Sequence, residues 1–142
     1  MEISDVRRRV AATIESARRG SVARRARIDE ASREFAPFLD QVAVPLFRQV
    51  AQVLRAEGYL FTVFTPAGSV RLMSDTSAQD YVELQLDTSG DEPRVMGRSS
   101  RSRVRHVIEL EETVGRPGPI RDVGEEDVLT FVQKAIEPLV AR

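Results

Sequence analysis

The apolar residues of this chain change their spacing twice, and that change limits what it can fold into more than any other feature. From Ile3 to Ala56 they recur at steps of three and four, as on one face of a helix. From Tyr59 to Leu110 the step becomes two and the β-branched and aromatic share rises, as in strands with one dry face. From Gly124 to Val140 the helical step returns. Helices, then strands separated by turns, then a helix predict an α+β fold. The expected form has N-terminal helices, a four- to five-stranded antiparallel meander and a C-terminal helix packed on one face of the sheet.

Turn chemistry places the strand boundaries. Pro66-Ala67-Gly68 predicts a hairpin between Tyr59–Thr65 and Ser69–Met73. Tyr81–Asp87 alternates, with Val82, Leu84 and Leu86 inward and Glu83, Gln85 and Asp87 outward. After the turn at residues 89–93 comes a short strand at Arg94–Arg98. Residues 97–102 read either as a tight turn or as a bulge in one longer strand. Beyond them Val104, His106, Ile108 and Leu110 form an inward set, which leaves Arg101, Arg103, Arg105, Val107, Glu109 and Glu111 outward. Gly115-Arg-Pro-Gly-Pro119 permits neither ladder nor helix. Three acids, Glu125, Glu126 and Asp127, then open the last helix where they favour its dipole. With the helix that ends at Ala56, before the capping Gly58, it is the natural cover for one side of the sheet.

The N-terminal segment is set apart by its thinness. Ile3, Val6, Val10 and Ile14 make a regular stripe too narrow for a globular core, with arginines mostly between. Gly20-Ser21 is an expected break, and Pro37 an expected end or kink. Residues 1–36 are therefore read as a helical arm and 37–142 as a single domain, which suits a chain of 142 residues. A narrow seam of this kind buries itself against a partner helix, either residues 22–36 folded back or a second chain.

Charge is nearly balanced overall but unevenly placed. The formal net charge is −1, yet residues 1–34 hold nine arginines against six carboxylates. Of the 21 basic residues only Lys134 is lysine. Arginine forks suit phosphate or carboxylate recognition, although the bias runs through the whole chain rather than one site. The densest group is Arg94, Arg98, Arg101, Arg103 and Arg105, read as a single outward face that Arg71, Met73 and Tyr81 would join. Such a face is a candidate surface for nucleic acid or an acidic protein. Glu83, Asp87, Glu109 and Glu111 share it and are placed to neutralise it.

Catalytic, metal and cofactor readings find little to use. The absence of Cys removes disulfides, thiolate nucleophiles and every Cys-based metal site. His106 is the only histidine and reads as structural, and no nucleophile, base and orienter occur in a recognisable spacing. The carboxylate clusters lack calcium-loop spacing, and the glycines at 115, 118 and 124 lack the Lys-Ser/Thr of a phosphate loop. A pocket between sheet and last helix would have to draw on Tyr59, Thr62 and His106. No apolar run is long enough for a membrane span and no signal peptide is recognisable, so the expectation is a cytoplasmic, non-enzymatic protein without a membrane partner. Its expected role is protein interaction or assembly, as a homo-oligomer joined through the N-terminal helices. The alternative is binding of nucleic acid or an acidic partner through the arginine face and basic arm.

Overall fold

A computed structural model describes residues 1–141. Its order is α1 (Ile3–Phe38), a π-helical turn (Leu39–Ala43), α2 (Val44–Ala56), β1 (Phe61–Phe64), β2 (Ser69–Ser74), β3 (Tyr81–Asp87), β4 (Arg94–Arg103), β5 (His106–Thr113), a short 3-10 turn (Ile120–Asp122) and α3 (Glu125–Val140). The fold is mixed α+β, with a long N-terminal helix, a five-stranded antiparallel meander in the order β1-β2-β3-β4-β5, and a closing helix.

The first helix ignores the expected break at Gly20 and ends one residue past Pro37, where a π-helical turn takes over. Gly20 costs about 1 kcal/mol in a helix interior, too little to break a run of Ala, Arg and Glu, so α1 passes straight through it. It also passes Pro37. The disturbance begins two residues later, at Leu39. At Val44 the backbone N–H bonds to the carbonyl of Leu39, one residue farther back than in an α-helix, directly before Pro45, which has no N–H to donate. That extra residue turns the following face by about 100°. Ala43, Phe47 and Leu54 are thereby brought to the same core as Ala31, Phe35 and Phe38. Gly58, at φ +92°, then ends α2, and the Tyr59 N–H reaches back to the Leu54 carbonyl at 2.8 Å.

Register sets the two faces of the sheet. Val70, Leu72, Val82, Leu84 and Val95 point to the helices, and α2 and α3 cover them with Phe47, Val128, Phe131 and Val132. Gly97 continues that face beneath α3; a Cβ there would stand 2.4 Å from the Phe131 ring. β4 needs a glycine for the helix to come so close. The other face carries Arg71, Tyr81, Glu83, Asp87, Arg94, Met96 and Arg98, with no helix over it.

The uncertain stretch at residues 97–102 is neither turn nor bulge. Pairing runs unbroken from Met96↔Thr113 to Arg103↔His106, and the chain reverses at Val104-Arg105. Val104 therefore leaves the expected inward set and is 98% exposed, and Leu110, on the helix-side parity, lines an open cleft with Phe131, Ala135 and Pro138 of α3 and is exposed too.

Candidate functional site

The open sheet face is built on a transverse row of alternating charge. Arg71, Glu83, Arg98 and Glu111 stand side by side on β2, β3, β4 and β5, each the register partner of the next. Arg71 Nη2 donates to Glu83 Oε2 at 2.7 Å and Arg98 Nη2 to Glu111 Oε1 at 3.1 Å. Beside the row, Arg94 Nε donates to Asp87 Oδ2 at 2.8 Å and its Nη1 to Thr113 Oγ1 at 2.7 Å. The Arg71 guanidinium lies 4.0 Å from the centroid of the Tyr81 ring, a cation–π contact. Glu83 is only 5% exposed although no element covers it. Long arginine stems lying over the sheet account for that burial.

The electrostatics follow from these partners. Hydrogen bonds from the Ser89 hydroxyl and N–H, and then from Arg94, pull the Asp87 pKa down to about 2. Burial disfavours the Arg98 charge, but Glu111, Tyr81 and Glu83 more than offset it and raise its pKa above the ordinary arginine value. The Nε atoms of Arg71 and Arg98 are buried and bonded to no protein group. Of the four carboxylates expected to neutralise this face, Glu83, Asp87 and Glu111 pair with arginines, and Glu109 stands opposite Ser100.

The single arginine face does not form. Because β4 is continuous, Arg94 and Arg98 lie on the open side while Arg101 and Arg103 lie on the helix side with Gly97, and Arg105 sits in the hairpin turn. Arg101 and Arg103 line a cleft of about 320 Å³ with Val104 and Pro138. Among the described residues, the side chains of Arg101, Arg103, Arg105 and His106 make no ion pair or hydrogen bond. The five arginines thus divide into a neutralised pair and a free group of three at the hairpin tip. Val104 takes φ +49° there, a position where tight hairpins use Gly, Asn or Asp. The sequence Ser-Arg-Val-Arg carries none of these, so no turn signal was readable.

The N-terminal seam is equally free. Ile3, Val6, Val10 and Ile14 are 75%, 42%, 52% and 47% exposed, and the first buried residue of α1 is Ala31. Residues 22–36 do not fold back on the seam, since they continue the same helix. The last ties to the body are Arg24 Nη2 to the Thr88 carbonyl at 3.3 Å, Arg27 to Glu92 at 3.7 Å, and Arg121 to Glu34 at 2.7 Å. Before Arg24 the helix extends about 30 Å with nothing beside it.

The remaining motifs are not brought together. Thr62 Oγ1 donates to Asp75 Oδ1 at 2.6 Å on one side of the sheet, Tyr59 precedes β1, and His106 starts β5 on the far edge, so these three share no pocket. A cleft of about 290 Å³ lies between α1 and the loop before α3, but its Arg27 and Arg121 walls are tied to Glu92, Glu30 and Glu34. Among the described residues no three His, Asp or Glu groups are placed to hold a metal ion, and no helix is long and apolar enough to cross a membrane. Compared with protein-family models, curated proteins and solved structures, the chain matches none.

Proposed function

We propose that this protein is a non-enzymatic assembly module that self-associates through the first part of α1. The supporting observation is the exposed seam Ile3, Val6, Val10 and Ile14 on a helix that has no neighbour for about 30 Å. Most helical stability in proteins comes from packing an amphipathic face, and this part of α1 packs its apolar face on nothing in its own chain. Its internal ion pairs, Asp5–Arg8 and Glu15–Arg19, add only about 0.3–0.5 kcal/mol each. Burial of the seam is the missing stabilisation.

A second copy supplies the matching surface. At 3.6 residues per turn the seam lies on the same side of α1 as Ala31 and Phe35, so the side that the body buries continues into the arm without a body to bury it. Two such arms in parallel place Ile3, Val10 and Ala17 at one core position and Val6 and Thr13 at the other, and they set Glu2 of one helix against Arg7 of the other. Gly20 and Arg24 end the seam on the body side. With Ile14 flanking Thr13 at the edge of this core, the interface is short, so the expected association is reversible rather than obligate.

Sedimentation velocity on the full chain is the test. The wild type is expected to gain mass with concentration, and Val6→Glu/Val10→Glu to remain monomeric with unchanged unfolding, because neither position touches the body. A wild type that stays monomeric throughout would overturn the reading.

A further inference from the structure

The β4–β5 hairpin tip is the one part of the sheet where arginines gather without carboxylates. On the open face the arginines of β2 and β4 are held by Glu83, Asp87 and Glu111, whereas Arg101, Arg103 and Arg105 have no partner among the described residues. The two acids near the tip do not reach them. Asp80 accepts the Ser102 N–H at 2.8 Å, and Glu109 is on the opposite face from Arg101 and Arg103. Val104 adds a second anomaly. A β-branched residue at φ +49° with its side chain almost wholly in water is strained and buries nothing within its own chain.

We propose that this tip is a contact site for the phosphate backbone of duplex DNA, with Arg101, Arg103 and Arg105 as phosphate ligands and Val104 at the point of entry. Guanidinium groups bond phosphate oxygens in pairs, and a two-stranded ribbon fits the major groove of B-form DNA. Arg101 and Arg103, two residues apart on one face, are spaced roughly 6.6 Å along the strand and follow a groove wall together. Other polyanions fit less well. Single strands are held by stacking on aromatic rings, and the tip has only His106. A-form RNA closes its major groove to side chains. An anionic membrane would need a Trp, Tyr or Phe anchor, and the apolar groups exposed near the tip are Val104 and Val107.

Fluorescence anisotropy of a labelled duplex, titrated with the full chain, tests this. Three phosphate contacts predict that raising salt from about 50 to about 200 mM weakens binding about 40-fold. The variant Arg101→Gln/Arg103→Gln/Arg105→Gln should lose most of the affinity and flatten the salt dependence by about three phosphates, with its unfolding and sedimentation unchanged. Val104→Asn, which tolerates the backbone better, should keep the salt dependence and so separates the arginines from the fold of the turn. An arm variant, Arg8→Gln/Arg9→Gln, should retain it as well. Equal binding by the triple variant, loss confined to the arm variant, absence of duplex binding, or capture by phosphatidylserine vesicles or polyglutamate in place of duplex would each overturn the proposal. Sedimentation reports on assembly independently, so failure of one reading leaves the other standing.

Discussion

The middle of β4 and its tip carry the same residue type and meet opposite fates. In the middle, Arg94 and Arg98 are fixed by carboxylates on the neighbouring strands, while Gly97 between them admits the ring of Phe131 from the other side. At the tip, Arg101 and Arg103 stand beside Pro138 near the end of α3 and, with Arg105, extend past the last paired carboxylate, Glu111. The difference teaches that an arginine's neighbours across the ladder, rather than its density along the chain, decide whether it is structural. The same division separates the two parts of α1, whose apolar side is core at Phe35 and bare at Val10.

The sharpest way to break the comparison is at Gly97. Gly97→Ala drives a methyl group into Phe131, a rigid ring that is itself buried, and should cost about 2–3 kcal/mol in urea unfolding. A cost under about 0.5 kcal/mol would mean that α3 lifts freely and that the middle of β4 is no better fixed than its tip. Glu83→Gln comes next. It leaves Arg71 and Arg98 facing each other across a nearly buried position, with an expected loss of about 2 kcal/mol, whereas Arg103→Gln at the tip should stay within about 0.5 kcal/mol. Equal costs for the two would erase the distinction between paired and free arginines.

The smallest effect is expected from acid. Asp87 is held at about 2 against a usual value of 3.8, so its stabilising contribution is complete above about pH 4 and disappears as the pH falls toward 2. The wild type should therefore lose about 1 kcal/mol more than Asp87→Asn over that interval, less than the full shift implies because the Asp87–Arg94 pair is partly exposed. Matching acid profiles would show that the hydrogen bonds of Ser89 and Arg94 do not discriminate between the charged and neutral carboxyl group.

Much of this architecture was readable because local chemistry and periodicity agree with it. Pro66-Ala67-Gly68, the alternation of Tyr81–Asp87, Gly58 after α2, and the acids before Val128 all lie where the fold uses them. The partnership of Glu83, Asp87 and Glu111 with nearby arginines was readable too, since strand phase alone puts them on one face. The division of the arginines was not. It depends on whether residues 97–102 turn, and the actual turn at Val104-Arg105 uses a valine in a conformation that valine disfavours. The misplaced turn exchanged the face of Arg101 and Arg103, because side chains alternate with a period of two, while β5 kept the expected faces.

By itself the sequence determined the class of the fold, the dry side of each central strand and the narrowness of the N-terminal seam, because these follow from the spacing of apolar groups along one chain. Only the tertiary structure decided that α1 runs unbroken through Gly20 and Pro37, that a widened turn before Pro45 aligns two helices on one core, and which arginines are paired and which are free. Those outcomes depend on groups distant in sequence meeting in space: the ring of Phe131 over Gly97, Glu111 beside Arg98, nothing packed on Val10 and, among the described residues, no carboxylate paired with Arg103.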